Sequence, residues 1–151
     1  TGSIVQISVS SGGVPKRAIA EGKVTLQGIE GDGHAHPGIH GGPLRAVLLM
    51  TAEGLEELTA LGFPIAPGSL GENIITRGIP QRVANFPIRV ARTLGADVVI
   101  EITTRRAPCA TLNVYGPKIH AAIFDQLANA GDPASPKWGL SGFYASVVVP
   151  G

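Results

Sequence analysis

Glycine and proline constrain the fold of this chain more than any other residues. There are 21 glycines and 12 prolines among 151 residues, well above the ordinary combined usage of about one residue in eight. They are spread along the whole chain rather than gathered in one linker, and no internal repeat is evident. The composition therefore predicts many short strands joined by turns.

Alternating and apolar runs between these turns predict the strands. The predicted strands cover residues 3–8, 23–27, 45–50, 73–76, 88–91, 97–103 and 142–149. They do not alternate regularly with helices, as they would in a doubly wound sheet.

Two helices are predicted between the strands. The first covers residues 52–61, where leucines share one face and Thr51 is suited to the N-cap. The second covers residues 117–128, with Pro117 at a first helical position. We therefore expect a mainly β fold with inserted helices, in the form of a closed or partly closed β-barrel.

The length and composition predict one globular domain. A chain of 151 residues is long enough for one hydrophobic core, and its hydrophobic share of 44% and charged share of 15% are typical of soluble proteins. The apolar runs are too short to span a membrane. We expect a single domain over residues 1–151. Whether the sequence is complete at its C-terminal end is left open.

Charge and cysteine content narrow the expected partners and location. The formal net charge of +1 gives no general attraction to nucleic acid or to anionic lipid. Neither nucleic acid nor a membrane is expected as a partner, and the oligomeric state is left open. A single cysteine cannot form an intrachain disulfide, which favours a cytoplasmic location.

Cys109 is the only cysteine, and it follows the predicted strand over residues 97–103. Arg105, Arg106 and Pro108 precede it closely, and nearby positive charge favours the reactive thiolate. Such a thiol can attack an electrophile, carry sulfur or bind a metal. The alternative is a small buried side chain, which is the usual environment of a lone cysteine.

Two glycine-rich turns lead into predicted strands and offer ligand contacts. The first includes Gly41 and Gly42 between His40 and Arg45, and the second ends at Asn73. Paired glycines allow a backbone to approach a ligand closely and to donate its N–H groups. The alternative is that both turns only connect strands, with polar side chains fixing the loops.

Two further patterns suggest anion or metal binding. Residues 77–106 hold six arginines against two acidic residues, and the guanidinium fork suits phosphate and carboxylate. His34, His36 and His40 lie within seven residues, so they are candidate zinc ligands. The alternatives are a solvated arginine face and histidines that cap turns or face solvent.

Four segments in this order resemble the MOSC domain family, named for the C-terminal domain of molybdenum-cofactor sulfurases. They are Gly12-Gly13-Val14-Pro15-Lys16, His40-Gly41-Gly42-Pro43 with Arg45-Ala46-Val47, Pro67-Gly68 with Gly71-Glu72-Asn73, and Thr103-Thr104-Arg105-Arg106-Ala107-Pro108-Cys109. Together they span about residues 4–112. The chain is similar to stand-alone members, which lack the pyridoxal-dependent sulfurase domain.

The resemblance implies a strand-rich barrel that binds a pterin-based molybdenum cofactor or handles sulfur destined for one. It implies that Cys109 is a persulfide carrier or a thiolate ligand to molybdenum. The cofactor contacts expected from it are His40, Gly41, Gly42, Arg45, Asn73 and Arg106.

Two functions follow from the resemblance, and others remain open. One is reduction of N-hydroxylated compounds with electrons from a separate partner, since the chain shows no flavin, haem or iron–sulfur motif. The other is sulfur transfer, in which Cys109 receives persulfide from a cysteine desulfurase. The alternatives outside the family are a non-catalytic anion- or metal-binding module that uses the arginines or His34, His36 and His40, and a cysteine hydrolase.

Overall fold

The computed structural model describes residues 2–33, 42–79, 91–94, 97–132 and 134–151. Its strands are β1 (Ser3–Val9), β2 (Arg17–Ile19), β3 (Val24–Thr25), β4 (Gly28–Ile29), β5 (Val47–Thr51), β6 (Ile74–Arg77), β7 (Ala91–Leu94), β8 (Val98–Arg105) and β9 (Phe143–Val149). Its α-helices are α1 (Ala52–Ala60), α2 (Ile119–Ile123) and α3 (Gln126–Asn129), and 3₁₀ turns cover Pro43–Arg45 and Ala110–Tyr115. The predicted mainly β fold with inserted helices is confirmed.

Seven of the described strands form one mixed sheet in the order β2-β1-β6-β5-β9-β8-β7, and β3 pairs with β4 separately. β5 and β6 are parallel, while every other described pair in the large sheet is antiparallel. Parallel neighbours need a crossover connection. The segment that carries α1 supplies it.

In place of the predicted closed or partly closed barrel, the described strands form an open sheet. Closure requires the two end strands to pair, and within the described ranges β2 and β7 stand at opposite ends of the order without pairing. These end strands span only three and four residues, so each offers few backbone groups for closure. The glycine and proline content predicts short strands, and both edge strands of the sheet are short.

The strand predicted over residues 23–27 is wrong, because the chain turns back within it. β3 ends at Thr25, whose Oγ1 accepts a hydrogen bond from the backbone N–H of Gln27 at 3.2 Å and donates one to the carbonyl of Gly28 at 3.0 Å. Gly28 has φ +128°, a conformation that favours glycine. The alternating pattern thus becomes a hairpin of two short strands.

Five of the other six predicted strands are found in the structure. Those over residues 3–8, 45–50, 73–76, 97–103 and 142–149 are confirmed with shifted ends. Within the predicted 45–50 strand, the first residue belongs to a 3₁₀ turn that begins at Pro43. The strand predicted over residues 88–91 lies outside the described residues except for Ala91, which begins β7.

The first helix is confirmed, whereas the second is divided. Thr51 Oγ1 accepts a hydrogen bond from the N–H of Gly54 at 3.0 Å, so Thr51 is the N-cap of α1. The predicted helix 117–128 breaks at Asp125, which is extended with φ −140° and ψ −178°. Its carboxylate accepts from the N–H of Ala128 at 2.8 Å and begins α3 instead. A capping side chain competes with a continuous helix at this position.

The hydrophobic core lies on both faces of the large sheet. Adjacent strand residues point to opposite faces, so Ile75 packs with α1 and α2 while Ile74 packs with Val9 and Val147. A smaller cluster joins Trp138 and Phe143, whose rings meet edge to face with centroids 6.1 Å apart. No helix in the described ranges combines the length and apolar content needed to cross a bilayer.

Candidate functional site

Five strands meet in register at one end of the large sheet and position a cleft. The paired residues form one row across the sheet: Ile7, Ile74, Leu49, Phe143 and Arg105. β1 and β8 reach this row near their C-terminal ends, whereas β6 and β9 begin at it. The segments directly beyond the row therefore come together although they are distant in sequence.

The cleft lies among these segments. Its described lining residues are Gly13, Val14, Lys16, Gly33, Arg45, Leu48, Leu70, Gly71, Asn73, Arg106, Cys109, Thr111, Leu112 and Tyr144. The described part of the cleft has a volume of about 70 Å³, which is room for a few water-sized groups. Three of the lining side chains are basic, and none of them is acidic.

Cys109 lies in this cleft at the end of the loop that follows β8. Its side chain is half-buried, and its extended backbone leads into the 3₁₀ turn Ala110–Tyr115. The His120 ring holds this position, because its Nε2 lies 2.7 Å from the carbonyl oxygen of Cys109. A carbonyl can only accept a hydrogen bond, so Nε2 carries the hydrogen. Sequence reasoning did not identify this role of His120.

Of the two arginines before the cysteine, Arg106 is the one in the cleft. Arg105 turns away and donates to the carbonyls of Ala128 and Asn129. Adjacent residues of an extended segment point to opposite sides, which is why only one of the two arginines lies on the side of Cys109.

The Arg106 guanidinium is buried and only partly satisfied. The residue is 6% exposed, Nε donates to the carbonyl of Ser141 at 2.7 Å, and Nη1 donates to that of Leu70 at 2.5 Å. Nη2 has no hydrogen-bond partner among the described residues. Burial lowers the pKa of Arg106, while the nearby Tyr144, Glu72 and Cys109 charges oppose that shift.

Glu72 is a buried carboxyl near Arg106. It has no solvent exposure, one oxygen accepts from the N–H of Gly68, and Oε2 has no partner within the described ranges. Burial raises the pKa of Glu72 above its ordinary value of 4.5. A raised pKa favours the uncharged acid, so Glu72 offsets less of the positive charge of Arg106.

Arg45 and Tyr144 form another wall of the cleft. Arg45 ends the 3₁₀ turn Pro43–Arg45, and its guanidinium carbon lies 5.2 Å from the centre of the Tyr144 ring, within cation–π range. Tyr144 was not singled out from the sequence, because it is one of several apolar and aromatic residues in a predicted strand. Gly42 is described but is not among the lining residues, while His40 and Gly41 lie outside the described residues.

Asn73 lines the cleft and also ties three segments together. Its Oδ1 accepts from the N–H of Leu48 at 3.0 Å, and its Nδ2 donates to the carbonyl of Ser8 at 3.1 Å and to Asp32 Oδ2 at 2.8 Å. Both amide hydrogens are therefore used within the protein. In this structure Asn73 supports the wall of the cleft, and its predicted role as a cofactor contact stays a prediction.

Lys16 and Asp32 form a buried ion pair at the same wall. Their atoms lie 2.6 Å apart and the side chains are 7% and 3% exposed. Lys16 Nζ also approaches Ser10 Oγ at 3.4 Å and the carbonyl of Gly33 at 3.3 Å. The sequence offered Lys16 only as part of a glycine-rich motif, and no local pattern pointed to its pairing with Asp32.

The predicted histidine cluster cannot be placed, because His34, His36 and His40 lie outside the described residues. Elsewhere in the described ranges, no three His, Cys, Asp or Glu side chains are grouped in a way that could hold a metal ion. Among the described lining residues, Cys109 is the one soft donor.

The described cleft suits an anionic group with a soft metal centre. Cys109 supplies a thiol, the ligand type that soft metals select, and the guanidinium of Arg106 carries a buried donor, Nη2, that has no partner among the described residues. Gly71 leaves space in the cleft because it has no side chain. An ideal Cβ there would lie 3.2 Å from Val14 Cγ1, which is crowded, and 3.7 Å from Arg106 Nη1. The donor types present are therefore compatible with the metal and the phosphate of a pterin-based molybdenum cofactor.

Comparison with known proteins identifies relatives by sequence and by fold. The sequence profile of the MOSC domain matches residues 36–151. Among solved structures, YiiM from Escherichia coli is similar with a TM-score of 0.64 and 24% identity, over 97% of this chain and 62% of YiiM. YiiM from Geobacillus stearothermophilus is similar with a TM-score of 0.63 and 21% identity, over 100% of this chain and 70% of that protein.

The YuaD protein from Bacillus subtilis is similar with a TM-score of 0.69 and 17% identity, over 100% of this chain and 90% of YuaD. At these identities the likeness concerns the fold. The chain spans 62% of E. coli YiiM and 59% of a hypothetical protein of known crystal structure. No curated protein sequence matches the chain.

Proposed function

Because the chain belongs to the MOSC domain family, a family known to bind molybdenum cofactor, we propose that its cleft binds this cofactor through Cys109. The observation that carries the proposal is that Cys109 lines the same cleft as Arg45 and Arg106. A thiolate is a soft metal ligand, and arginine forks bind phosphate. The pterin-based cofactor is itself an anion with a phosphate group.

Each cleft residue has a defined part in this proposal. Cys109 supplies the thiolate ligand, while the Arg106 and Arg45 side chains bind anionic oxygens of the cofactor. The contacts predicted for His40, Gly41 and Gly42 remain part of this proposal. Asn73 positions the wall by holding Leu48, Ser8 and Asp32 together. The cofactor, when bound, supplies two-electron redox chemistry at molybdenum.

Reduction of N-hydroxylated compounds is one activity of such a protein. In this activity the chain binds the cofactor and orients it, and His120 fixes the backbone of Cys109. Electrons come from a separate redox partner.

Sulfur transfer is the second activity within the same proposal. The Cys109 thiolate attacks the outer sulfur of a persulfide on a cysteine desulfurase. A new sulfur–sulfur bond forms on Cys109, the donor sulfur–sulfur bond breaks, and the donor leaves as a thiolate. The half-buried position of Cys109 leaves the sulfur accessible from the cleft.

Protection of Cys109 against alkylation tests the proposal. The purified protein is treated with iodoacetamide before and after addition of cofactor released anaerobically from another molybdoenzyme, and labelling of Cys109 is followed by mass spectrometry. We expect cofactor to slow labelling at least about tenfold, since a ligated thiolate is not free to react. Arg77→Met, at an exposed arginine outside the cleft, serves as the matched control and should be protected equally.

Equal labelling with and without cofactor would contradict binding through Cys109. The two activities are then separated with a cysteine desulfurase and sulfur-labelled cysteine. Sulfur transfer requires label on Cys109 that is absent from Cys109→Ser. A reductase instead requires turnover of an N-hydroxylated compound that the same variant loses.

A further inference from the structure

The loop that carries Cys109 is held by few backbone bonds. The N–H of Arg106 donates to the carbonyl of Gly142 at 2.8 Å, which is the last contact between this segment and β9. After it, Pro108 has no N–H, and Cys109 is extended with φ −117° and ψ 172°. Within the described ranges, the hydrogen bonds to the backbone of residues 107–109 all reach one atom, the carbonyl oxygen of Cys109. The placement of Cys109 therefore depends on the donors to that oxygen.

Two donors bind this oxygen, and the shorter contact comes from His120. The N–H of Leu112 lies 3.2 Å from the oxygen, whereas His120 Nε2 lies 2.7 Å from it. The shorter distance indicates the better hydrogen bond. His120 thus holds the peptide plane that follows Cys109, while the fixed φ of Pro108 restricts the chain before it. Together they set the direction in which the Cys109 side chain leaves the backbone.

His120 is itself carried by a helix that is anchored in the core. Its neighbours Ile119 and Ile123 are fully buried, and they belong to the same core cluster as Leu112. The carbonyl of His120 accepts a hydrogen bond from the N–H of Phe124 at 2.9 Å. Side chains on packed helices are positioned more precisely than side chains on loops. The bond from His120 therefore ties the loop of Cys109 to a rigid element.

We propose that His120 is a positioning residue for the chemistry of the cleft, and that its hydrogen bond directs the Cys109 sulfur toward the bound ligand. The inference rests on the proposed function and gives His120 a part other than that of a base. In a thiol–imidazole pair, a ring nitrogen accepts the proton of the thiol. Here Nε2 donates to the Cys109 carbonyl, so this nitrogen cannot also accept the thiol proton.

Loss of this hydrogen bond should leave the thiol in place chemically but badly directed. The contact from Leu112 then remains as the one bond on the Cys109 carbonyl within the described ranges. A displacement of a reacting group by about 1 Å costs about a hundredfold in rate. Binding of a ligand through the sulfur should therefore weaken, whereas reaction of the thiol with a small reagent that needs no fixed direction should change little.

Two substitutions at His120 test the inference. His120→Phe keeps a ring but removes the donor, and His120→Gln keeps an N–H donor but has no nitrogen that accepts a proton. For each variant we would measure the concentration of molybdenum cofactor, released anaerobically from another molybdoenzyme, that halves the rate of Cys109 labelling by iodoacetamide. We expect this concentration to rise about tenfold in His120→Phe. In His120→Gln it should stay within about threefold of the wild-type value.

Three controls separate positioning from a general loss of structure. Lys118→Gln changes an exposed residue at the start of α2 and should behave as wild type. Urea denaturation shows whether each variant is folded, and labelling without cofactor should stay within about threefold of wild type in all of them. In the wild-type protein, ¹⁵N NMR of the neutral His120 ring should find its hydrogen on Nε2, a result that requires no variant.

Three results would overturn the inference. The first is half-protection of folded His120→Phe at the wild-type cofactor concentration, and the second is a folded His120→Gln as impaired as His120→Phe, which would indicate a base. The third is a neutral ring with its hydrogen on Nδ1. If cofactor protects wild type and all variants equally, the proposed function survives and only the part given to His120 is wrong. If cofactor does not protect wild type, the proposed function and this inference fail together.

Discussion

Asp32 connects the charged wall of the cleft to the end of β1 and the start of β6. One carboxylate oxygen contacts Lys16 at 2.6 Å and accepts from the N–H of Ser10 at 2.9 Å, and the other accepts from Asn73 at 2.8 Å. These bonds satisfy a carboxylate that is 3% exposed in its side chain. Buried charges are tolerated only when they are paired and hydrogen-bonded in this way.

Replacing Asp32 by asparagine should therefore destabilise the fold. Asp32→Asn leaves the buried Lys16 ammonium without its counter-charge and can set two amide groups against each other at Asn73. We expect the free energy of unfolding in urea to fall by about 3 kcal/mol. The matched control is Glu56→Gln, which breaks an exposed ion pair with Arg77 and should change little. Equal effects of both substitutions would contradict a structural role for the buried pair.

Glu72 should give the fold a measurable dependence on pH. Its pKa is raised by burial above the ordinary value of 4.5, so the folded state binds a proton more tightly than the unfolded state. By linkage, stability falls as pH rises from about 4.5 through the raised pKa. The free energy of unfolding of wild type minus that of Glu72→Gln should therefore decrease as pH rises over that range. A difference that is constant or increases with pH would refute this assignment.

The residues of the site differ in how far sequence predicts them. Cys109 and Arg106 belong to one contiguous motif, so their proximity in the cleft follows from adjacent positions in the chain. Lys16 joins them from the segment before β2 and Tyr144 from β9. No local pattern marks either residue as part of the cleft. Asn73 was predicted as a ligand contact, but a single sequence does not show that its hydrogens are used by Ser8 and Asp32.

At the scale of elements, the loop before β6 packs closely against the start of β2. Gly68 has φ +93°, and an ideal Cβ there would overlap the carbonyl of Lys16. The backbone N–H of Lys16 in turn donates a hydrogen bond to the carbonyl of Gly68 at 2.8 Å. The loop that carries Glu72 and Asn73 is thus held against the wall of the cleft by a contact that only glycine permits.

Gly68→Ala should separate this contact from backbone strain. Gly62 also has positive φ, at +99°, but an ideal Cβ there meets nothing within 4 Å, so Gly62→Ala is the matched control. We expect Gly68→Ala to lower the free energy of unfolding by about 2 kcal/mol more than Gly62→Ala, measured by urea denaturation. Equal losses would show that the loop does not need to approach Lys16.

The second helix shows why local patterns misplace element boundaries. Ile119, Ile123 and Leu127 follow a helical spacing, and this spacing predicted one helix. The structure places Leu127 on a separate helix with 46% exposure, while Ile119 and Ile123 are fully buried. Asp125 decides the outcome by capping α3 and by accepting from Ser135 Oγ at 2.7 Å. The partner Ser135 is ten residues away, beyond the reach of a periodicity argument.

At the scale of the whole molecule, the order of short strands builds the cleft. β5 and β6 lie side by side through the α1 crossover, and β9 inserts beside β5 from the end of the chain. This order places the segment after β8 and the segment before β6 at the same end of the sheet, so Cys109, Asn73 and Arg45 line one cleft. Composition predicted the many short strands, and the motif order indicated the family that the profile match confirms. The strand order itself depends on long-range pairing, which a single sequence does not show, and the described strands do not support the predicted closed or partly closed barrel.

Molybdenum and pterin content, measured together after anaerobic purification from a host that makes the cofactor, tests the central claim most directly. The claim predicts near-stoichiometric metal and pterin in wild type, a large loss in Cys109→Ala, and full retention in the exposed-site control Arg77→Met. Absence of both from wild type, or equal content in wild type and Cys109→Ala, would contradict a cofactor site at Cys109.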